Sequence, residues 1–206
     1  TMAAVERLVH PQGAGLGVHR LTVSTSGWIP GIVRLAQEPL AVRLAVSLHA
    51  PNDELRSQLV PLNRRFPVGD LMAACRDYQW ETGRRVTFEY TLMDGVNDSP
   101  LLARELATLL NGLDTHVNLI PMNPVRELPF LPSPWPVVET FHDVLRQHGI
   151  ICTVRREMGR DIQAACGQLQ ADVQRLERQA APARRAARAG RASSSAPSDV
   201  HVALGG

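Results

Sequence analysis

The sequence predicts an α/β fold with parallel strands, and three observations support this prediction. Apolar runs rich in β-branched residues alternate with helix-like segments along most of the chain, a pattern typical of strands linked by helical crossovers. The intervals between runs are long enough for a helix, so neighbouring strands are expected to be parallel, with right-handed connections. Polar residues follow directly after the runs, as they do where parallel strands end at a functional edge.

Five strands are predicted from the apolar runs. The run RVTFEYTLM alternates apolar and polar residues, as a half-buried strand does. Polar or proline-rich segments stop the runs, among them DGVND after the third and the stretch to about residue 133 after the fourth. In chain order, the strands are expected within residues 19–27, 42–50, 85–93, 116–124 and 150–156.

Helices are predicted between these strands. The tripeptide PND offers a proline and a polar N-cap to a helix that begins near Glu54. Ser99 and Pro100 form an N-cap and first-turn pair for another helix. Leu71, Cys75 and Tyr78 share one face of a third, which Gly83 is suited to end. The expected segments are 30–38, the helix from Glu54, 68–83, 101–112 and 135–149.

Composition is that of a globular protein with a basic tail. The 206 residues are 44% hydrophobic and 20% charged, with a formal net charge of +2. Residues 175–206 hold six Arg against Glu177 and Asp199, so this tail carries +4 and the remainder −2. We expect the tail to be disordered, and its charge either attracts nucleic acid nonspecifically or only keeps the terminus solvated. No apolar run approaches the roughly 18 residues of a membrane span, and we expect a cytoplasmic protein.

The spacing of the cysteines and the absence of lysine exclude several kinds of site. Three cysteines are widely spaced without a CxxC pair, which argues against a disulfide framework and a self-contained zinc or iron-sulfur site. Cys75 and Cys152 lie in apolar segments and are interpreted as structural. The sequence contains no Lys, which excludes a lysine Schiff base. Taken by itself, Cys166 in DIQAACGQLQ is more often a small buried residue than a nucleophile.

Polar residues after the predicted strands are the candidate site residues. Each has a structural alternative, since serines cap turns, asparagines form Asx-turns and a lone histidine is often a satisfied structural residue. Their shared position at one edge of the sheet favours function for the set. The set consists of Ser24, Thr25, Ser26, Ser47, His49, Asp94, Asn97, Asn123, Arg155 and Arg156.

Four stretches, RLTVSTSGWIPGI, LAVSLHAPNDELRSQLVPLNR, NLIPMNP and GRDIQAACGQL, together resemble the RlmN/Cfr family of radical S-adenosylmethionine (SAM) RNA methyltransferases. The resemblance runs over about residues 1–174, in order and with consistent spacing. It implies a C-terminal portion of a partial (βα) barrel over residues 1–174, followed by the tail at 175–206. It also implies that Ser24, Ser47, Leu48, His49 and Asn123 line a SAM pocket, the backbone of Leu48 pairing with an adenine edge.

The same resemblance implies that Cys166 carries the methyl group. In that scheme the cysteine is methylated by one SAM, and a radical made from a second SAM at a [4Fe-4S] cluster activates the S-methyl group. The methyl carbon then adds to carbon 2 of adenine in 23S rRNA, and in tRNA. The implied partners are these RNAs and an electron donor such as flavodoxin or ferredoxin, and we expect a monomer without a membrane.

The cluster motif of that family, CxxxCxxC, does not occur in the sequence. We therefore expect the C-terminal part of a longer protein, with an incomplete barrel that alone neither binds the cluster nor methylates RNA. Alternatives stay open at this point. The first is methylation of carbon 8 of adenine, as in the Cfr branch. The second is a thiol hydrolase that uses Cys166 with His49, His142 or His148. The third is a noncatalytic RNA-binding remnant in which Arg155, Arg156, Arg160 and the tail hold phosphates.

Overall fold

A parallel sheet in chain order forms the centre of the structure. The computed structural model describes residues 2–40, 42–123 and 129–155, and within these residues five strands form one sheet of order β1-β2-β3-β4-β5. Sequential order without reversal is the arrangement of a barrel wall, because a doubly wound sheet reverses at a switch point. The predicted α/β class is confirmed. The strands are β1 Thr22–Thr25, β2 Arg43–Ser47, β3 Val86–Leu92, β4 Thr115–Pro121 and β5 Ile151–Val154.

Helices connect the strands as the sequence predicts. Asn52 caps the third helix by accepting a hydrogen bond from the Leu55 amide (3.0 Å), and Ser99 caps the fifth by accepting one from the Leu102 amide (3.3 Å). The first helix was not predicted, since it is short and has no acidic residue in its first turn. The helices are α1 Met2–Val9, α2 Ile29–Ala36, α3 Asp53–Leu59, α4 Val68–Thr82, α5 Pro100–Leu109 and α6 Trp135–Gln147, with 3-10 turns at Val18–Arg20 and Pro61–Arg64.

The core lies on one face of the sheet. Successive strand residues point to opposite faces, and the fully buried set from β3 consists of Val86, Phe88, Tyr90 and Leu92. These residues join one apolar cluster with side chains of the helices, and the rings of Tyr90 and Phe141 lie 5.2 Å apart. Each buried apolar side chain of this size favours folding by about 1.5–3 kcal/mol. The alternate residues of the same strands are therefore on the other face, away from this core.

Several predictions lie outside the described residues. These are the role of Cys166, the boundary at residue 174, the tail, and the positions of Arg156 and Arg160. The described elements all belong to one unit, Thr1–Glu157. Within the part of the chain that the structure describes, every helix is too short or too polar to cross a bilayer.

Candidate cofactor site at the carboxyl edge of the sheet

A line of polar side chains crosses the open face of the sheet. Ser47 is in register with Glu89, Glu89 with Asn118, and Asn118 with Thr153. Ser47, Glu89 and Asn118 are half-buried, and Thr153 is exposed. The Asn118 amide donates to Glu89 Oε2 at 2.8 Å, which orients the carboxylate across the strands. We call these four residues the polar row.

The end of β2 adopts a backbone conformation that glycine normally adopts. His49 has φ +62°, and among the described residues no other non-glycine residue has a positive φ. This left-handed conformation costs about 1–2 kcal/mol for an ordinary residue and is found preferentially at functional sites. Two hydrogen bonds hold it: Asn97 Nδ2 donates to the His49 carbonyl (2.9 Å), and the Thr91 amide donates to His49 Nδ1 (3.1 Å).

The bond from Thr91 also fixes the tautomer of His49. Because a backbone amide can only donate, Nδ1 is an acceptor and the proton of the neutral ring lies on Nε2. Burial, and then the positive charge of Arg56, lower the pKa of His49 from 6.5 to about 4. At neutral pH His49 is therefore an uncharged imidazole that offers an Nε2–H donor.

Arg56 of α3 connects the ends of β1 and β2 through hydrogen bonds to backbone carbonyls. Its side chain is completely buried. Nε donates to the Leu48 carbonyl (3.0 Å), and Nη2 donates to the carbonyls of Ser26 (2.7 Å) and Ser47 (3.2 Å). Nη1 donates to Asn63 Oδ1 at 2.8 Å. A planar guanidinium is suited to this task, since its five donors point in fixed directions.

Asn97 performs a similar task between β2 and β3. Besides the bond to His49, its amide donates to the Thr91 carbonyl (2.7 Å), and its oxygen accepts from the Met93 amide (2.8 Å). The side chain is fully buried, so all of these partners lie within the protein. Asn97 is therefore a structural residue, although the sequence placed it among the site candidates.

Relatives of known name match the chain over most of its length. A Symbiobacterium thermophilum protein named "Probable dual-specificity RNA methyltransferase RlmN" is 56% identical over 171 residues, which are 82% of this chain and 46% of that protein. "Ribosomal RNA large subunit methyltransferase N" of Nitrosopumilus maritimus is 53% identical over 170 residues, 82% of this chain and 48% of that protein. No protein-family model matches.

Two solved structures also match the chain. A radical SAM methyltransferase from Sphaerobacter thermophilus is 59% identical, with a TM-score of 0.79, over 81% of this chain and 49% of that one. The chain matches the C-terminal part of the RlmN family. It spans about half the length of the curated relatives it matches. A domain of pyruvate-formate lyase-activating enzyme from Bacteroides vulgatus shares the fold alone, with 14% identity and a TM-score of 0.55 over 75% of this chain and 91% of that one.

The residues that the RlmN resemblance assigns to SAM fall into three places. Ser47, Leu48 and His49 are consecutive at the end of β2. Ser24 is exposed on β1, in register with Ala45, and Asn123 is exposed two residues after β4. All five lie on or just beyond the carboxyl halves of their strands, so the sheet brings them to one edge.

Leu48 has few free backbone groups for the adenine contact that the RlmN resemblance implies. Its side chain is fully buried, its amide donates to the Glu89 carbonyl (3.0 Å), and its carbonyl accepts from Arg56. Any further backbone contact through Leu48 has only the second lone pair of that carbonyl to use. Leu48 thus anchors the end of β2, and the adenine contact that the resemblance implies for its backbone stays a prediction.

The sequence reasoning missed Arg56, Glu89 and Asn118. Glu89 could have been found, since it stands between the apolar residues Phe88 and Tyr90 and so must face the opposite side of the strand. Asn118 follows from the same alternation on β4. Arg56 gives no such signal, because an arginine on a polar helix is usually solvent-exposed.

The described residues fit SAM better than they fit the cluster. Hydroxyl, carboxylate, amide and imidazole groups at one edge suit a charged nucleoside cofactor. By contrast, the residues that the structure describes contain no group of three or more His, Cys, Asp or Glu side chains able to hold a metal. Cys75 and Cys152 are the cysteines among the described residues, fewer than the three that a CxxxCxxC loop supplies, and burial raises the pKa of Cys75 to about 12 and that of Cys152 to about 11.

Proposed function

We propose that this chain forms part of an RNA methyltransferase that methylates carbon 2 of adenine in 23S rRNA and in tRNA. The observation that carries this proposal is the 56% identity with a protein named as a dual-specificity RlmN over 82% of the chain. Cys166, within the stretch GRDIQAACGQL, is the proposed methyl carrier. Sulfur suits this task, because it serves in turn as nucleophile, carrier and leaving group.

Within this proposal, the carboxyl edge of the sheet binds SAM. When bound, SAM supplies the methyl group that Cys166 accepts. Ser24, Ser47 and Asn123 offer hydroxyl and amide partners, and the neutral ring of His49 offers one directed Nε2–H donor. The Glu89 carboxylate adds a negative charge next to Ser47, which suits a ligand that carries a sulfonium and an ammonium group.

The 206-residue chain alone is proposed to lack the cluster. Its sequence has no CxxxCxxC, and its three cysteines are widely spaced. Anaerobic reconstitution with iron and sulfide, followed by ultraviolet-visible and Mössbauer spectra, tests this. We expect no stoichiometric [4Fe-4S] signal, and such a signal on this chain would contradict the proposal.

The activity is tested by expressing the complete open reading frame that encodes this chain in a bacterium lacking its own adenine C2 methyltransferase. Mass spectrometry of digested 23S rRNA and tRNA should show 2-methyladenosine in both, and 8-methyladenosine would indicate the carbon-8 reaction. Cys166→Ala should abolish the product, while the matched Cys152→Ala should retain it. Unmodified RNA from well-folded wild-type protein would refute the methyltransferase proposal and support an RNA-binding remnant.

A further inference from the structure

A surface cluster within the described residues consists of the exposed Trp28 and Arg65 and the half-buried Phe66. The rings of Trp28 and Phe66 meet edge to face, with centroids 5.3 Å apart and planes at 89°. The Arg65 guanidinium carbon lies 5.0 Å from the centre of the Trp28 ring and 5.3 Å from that of Phe66. Both distances are within the range of cation–π attraction. We call these three residues the aromatic platform.

The platform stands at the same edge of the sheet as the SAM site. Trp28 follows β1 and precedes α2, and Arg65 and Phe66 follow the 3-10 turn after α3. Trp28 therefore lies just beyond the carboxyl end of β1, and its contacts with Arg65 and Phe66 bring those two residues to the same edge. Arg56 reinforces this placement, because its bonds to the Ser26 and Leu48 carbonyls connect the segment before Trp28 with the end of β2.

Local contacts hold the ring of Trp28 in place. The Trp28 amide donates to Thr25 Oγ1 at 3.1 Å, which fixes the turn from β1. The ring lies against Gly31 in the first turn of α2, where an added Cβ would be 2.9 Å from Trp28 Cδ1. Even so, 43% of Trp28 is exposed. A large flat ring that is held in position and left accessible suits stacking better than core packing.

Positive charge surrounds the ring. Arg64 and Arg65 are exposed, and among the residues that the structure describes neither has a carboxylate within 4.0 Å, unlike Arg34 with Glu38 at 3.4 Å. On α3, the Asp53 carboxylate is engaged by the Val68 amide (2.7 Å) and the Asn63 amide group (2.9 Å). Glu54 and Asp70 are exposed, and neither forms an ion pair within 4.0 Å with these arginines. The two arginines are thus available to phosphate oxygens.

We propose that the aromatic platform stacks a nucleobase of single-stranded RNA beside the SAM site, while Arg64 and Arg65 pair with its phosphates. Aromatic rings and guanidinium planes are the surfaces on which unpaired RNA bases stack. The proposal rests on the proposed function, which makes RNA the substrate, and it assigns a specific RNA contact to this chain. A nucleotide flanking the target adenine is the expected occupant.

The chain supplies a matched control. Trp80 is 87% exposed and lies near the end of α4, which runs back toward the amino ends of the strands. The neighbouring Gln79 pairs there with the backbone of Asp114, immediately before β4. Trp80→Ala therefore removes an equally large exposed ring at the opposite edge of the sheet.

The test measures binding of a fluorescent single-stranded adenine-containing RNA to the product of the complete open reading frame, by anisotropy at several salt concentrations. Trp28→Ala should weaken binding about tenfold, Trp28→Phe less, and Trp80→Ala not at all. Arg65→Ala should also lower the slope of log K against log salt by about 0.7. Gly31→Ala, which adds a methyl group against the ring, should reproduce part of the loss at Trp28.

A second readout distinguishes stacking from general destabilisation. With Trp80→Phe and Trp135→Phe, Trp28 is the remaining tryptophan of the three in this sequence; once any tryptophan elsewhere in the complete open reading frame product is also replaced by Phe, RNA should quench the fluorescence of Trp28. An RNA with abasic positions should bind wild-type protein and Trp28→Ala equally. If Trp28→Ala binds and methylates RNA like wild type, the platform is refuted and the methyltransferase stands. If wild-type protein neither binds nor methylates RNA, both proposals fail.

Discussion

Arg56 Nη2 donates to the backbone carbonyl of Ser26 at 2.7 Å, across thirty positions of sequence. The same guanidinium holds the carbonyls of Ser47 and Leu48. One buried side chain therefore sets the spacing between the ends of β1 and β2. The candidate site residues Ser24, Ser47 and His49 depend on that spacing.

Removing Arg56 should destabilise the fold strongly. Arg56→Ala removes the donor from four acceptors, of which the Leu48 carbonyl and Asn63 Oδ1 are buried, at an expected cost of about 3–5 kcal/mol in the free energy of unfolding. Arg56→Lys keeps the charge but loses the fork of donors, so an intermediate loss is expected. Urea denaturation measures both. The control is Arg34→Ala, at an exposed ion pair, which should change the free energy of unfolding by less than about 0.5 kcal/mol. Equal effects of the Arg34 and Arg56 variants would contradict the role of Arg56 in connecting β1 and β2.

Stability should fall between pH 6.5 and 4 because of His49. The pKa of His49 is about 4 in the folded state and about 6.5 when unfolded, so the unfolded chain binds more protons in this range. The contribution, at most about 3 kcal/mol, is fully present above pH 6.5 and is lost as the pH falls toward 4. Urea denaturation across this range measures it.

The control for this prediction is His49→Asn. Asparagine tolerates a positive φ, and its Oδ1 can accept the bond from the Thr91 amide without titrating. This variant should have a flatter stability profile between pH 4 and 6.5. A slope equal to that of wild-type protein would show that other groups cause the pH dependence.

Asn97→Asp should destabilise the protein despite its similar shape. The carboxylate cannot donate to the His49 and Thr91 carbonyls, and it places a charge in a fully buried position. We expect a loss of about 2–4 kcal/mol, seen as a lower midpoint in thermal denaturation. Asn111→Asp, at an exposed residue, should leave the midpoint within a degree or two, since surface substitutions change stability little.

Glu89→Gln should weaken SAM binding while preserving the sheet. Glutamine can still accept the bond from Asn118, but the negative charge is gone. We expect the Kd for SAM, measured by calorimetry with the complete open reading frame product, to rise about five- to tenfold, within the usual range for a lost charge-assisted contact. Glu54→Gln, on the exposed start of α3, should not change it, and an unaltered Kd for Glu89→Gln would exclude Glu89 from the pocket.

Cys75 and Cys152 should react slowly with iodoacetamide at pH 7. Alkylation requires the thiolate, and with pKa values of about 12 and 11 almost none is present. Peptide mapping of the folded protein should find Cys75 and Cys152 unmodified at a time when Cys166 has been alkylated. If Cys166 already carries a methyl group, Cys75 and Cys152 should still be unmodified. Rapid labelling of Cys75 in the folded protein would contradict its burial.

The five strands, their parallel direction and the carboxyl edge could be predicted from the sequence, because apolar periodicity and turn residues are local signals. β3 and α5 are examples, with Ser99 as the cap. The contacts that hold the edge could not be predicted in the same way. Arg56 meets Ser26, and Asn97 meets His49, only after the strands have assembled, and no spacing of residues in the sequence indicates such pairs.

The same limit separates structural from candidate functional residues. Asn97 and Asn123 are both polar candidates near the ends of predicted strands, yet Asn97 is fully buried with internal partners and Asn123 is exposed. Trp28 is comparable, since a tryptophan after a strand would ordinarily be assigned to the core. Burial depends on what the rest of the chain places around each side chain, which local patterns do not contain.

The positive φ of His49 and its two anchoring bonds have a consequence for how a ligand is received. A segment already held in its binding geometry loses little conformational entropy when a ligand arrives. Preorganisation of this kind predicts that Ser47–His49 has nearly the same backbone in ligand-free and ligand-bound crystals, and that amide hydrogen exchange there is slow before any ligand is added.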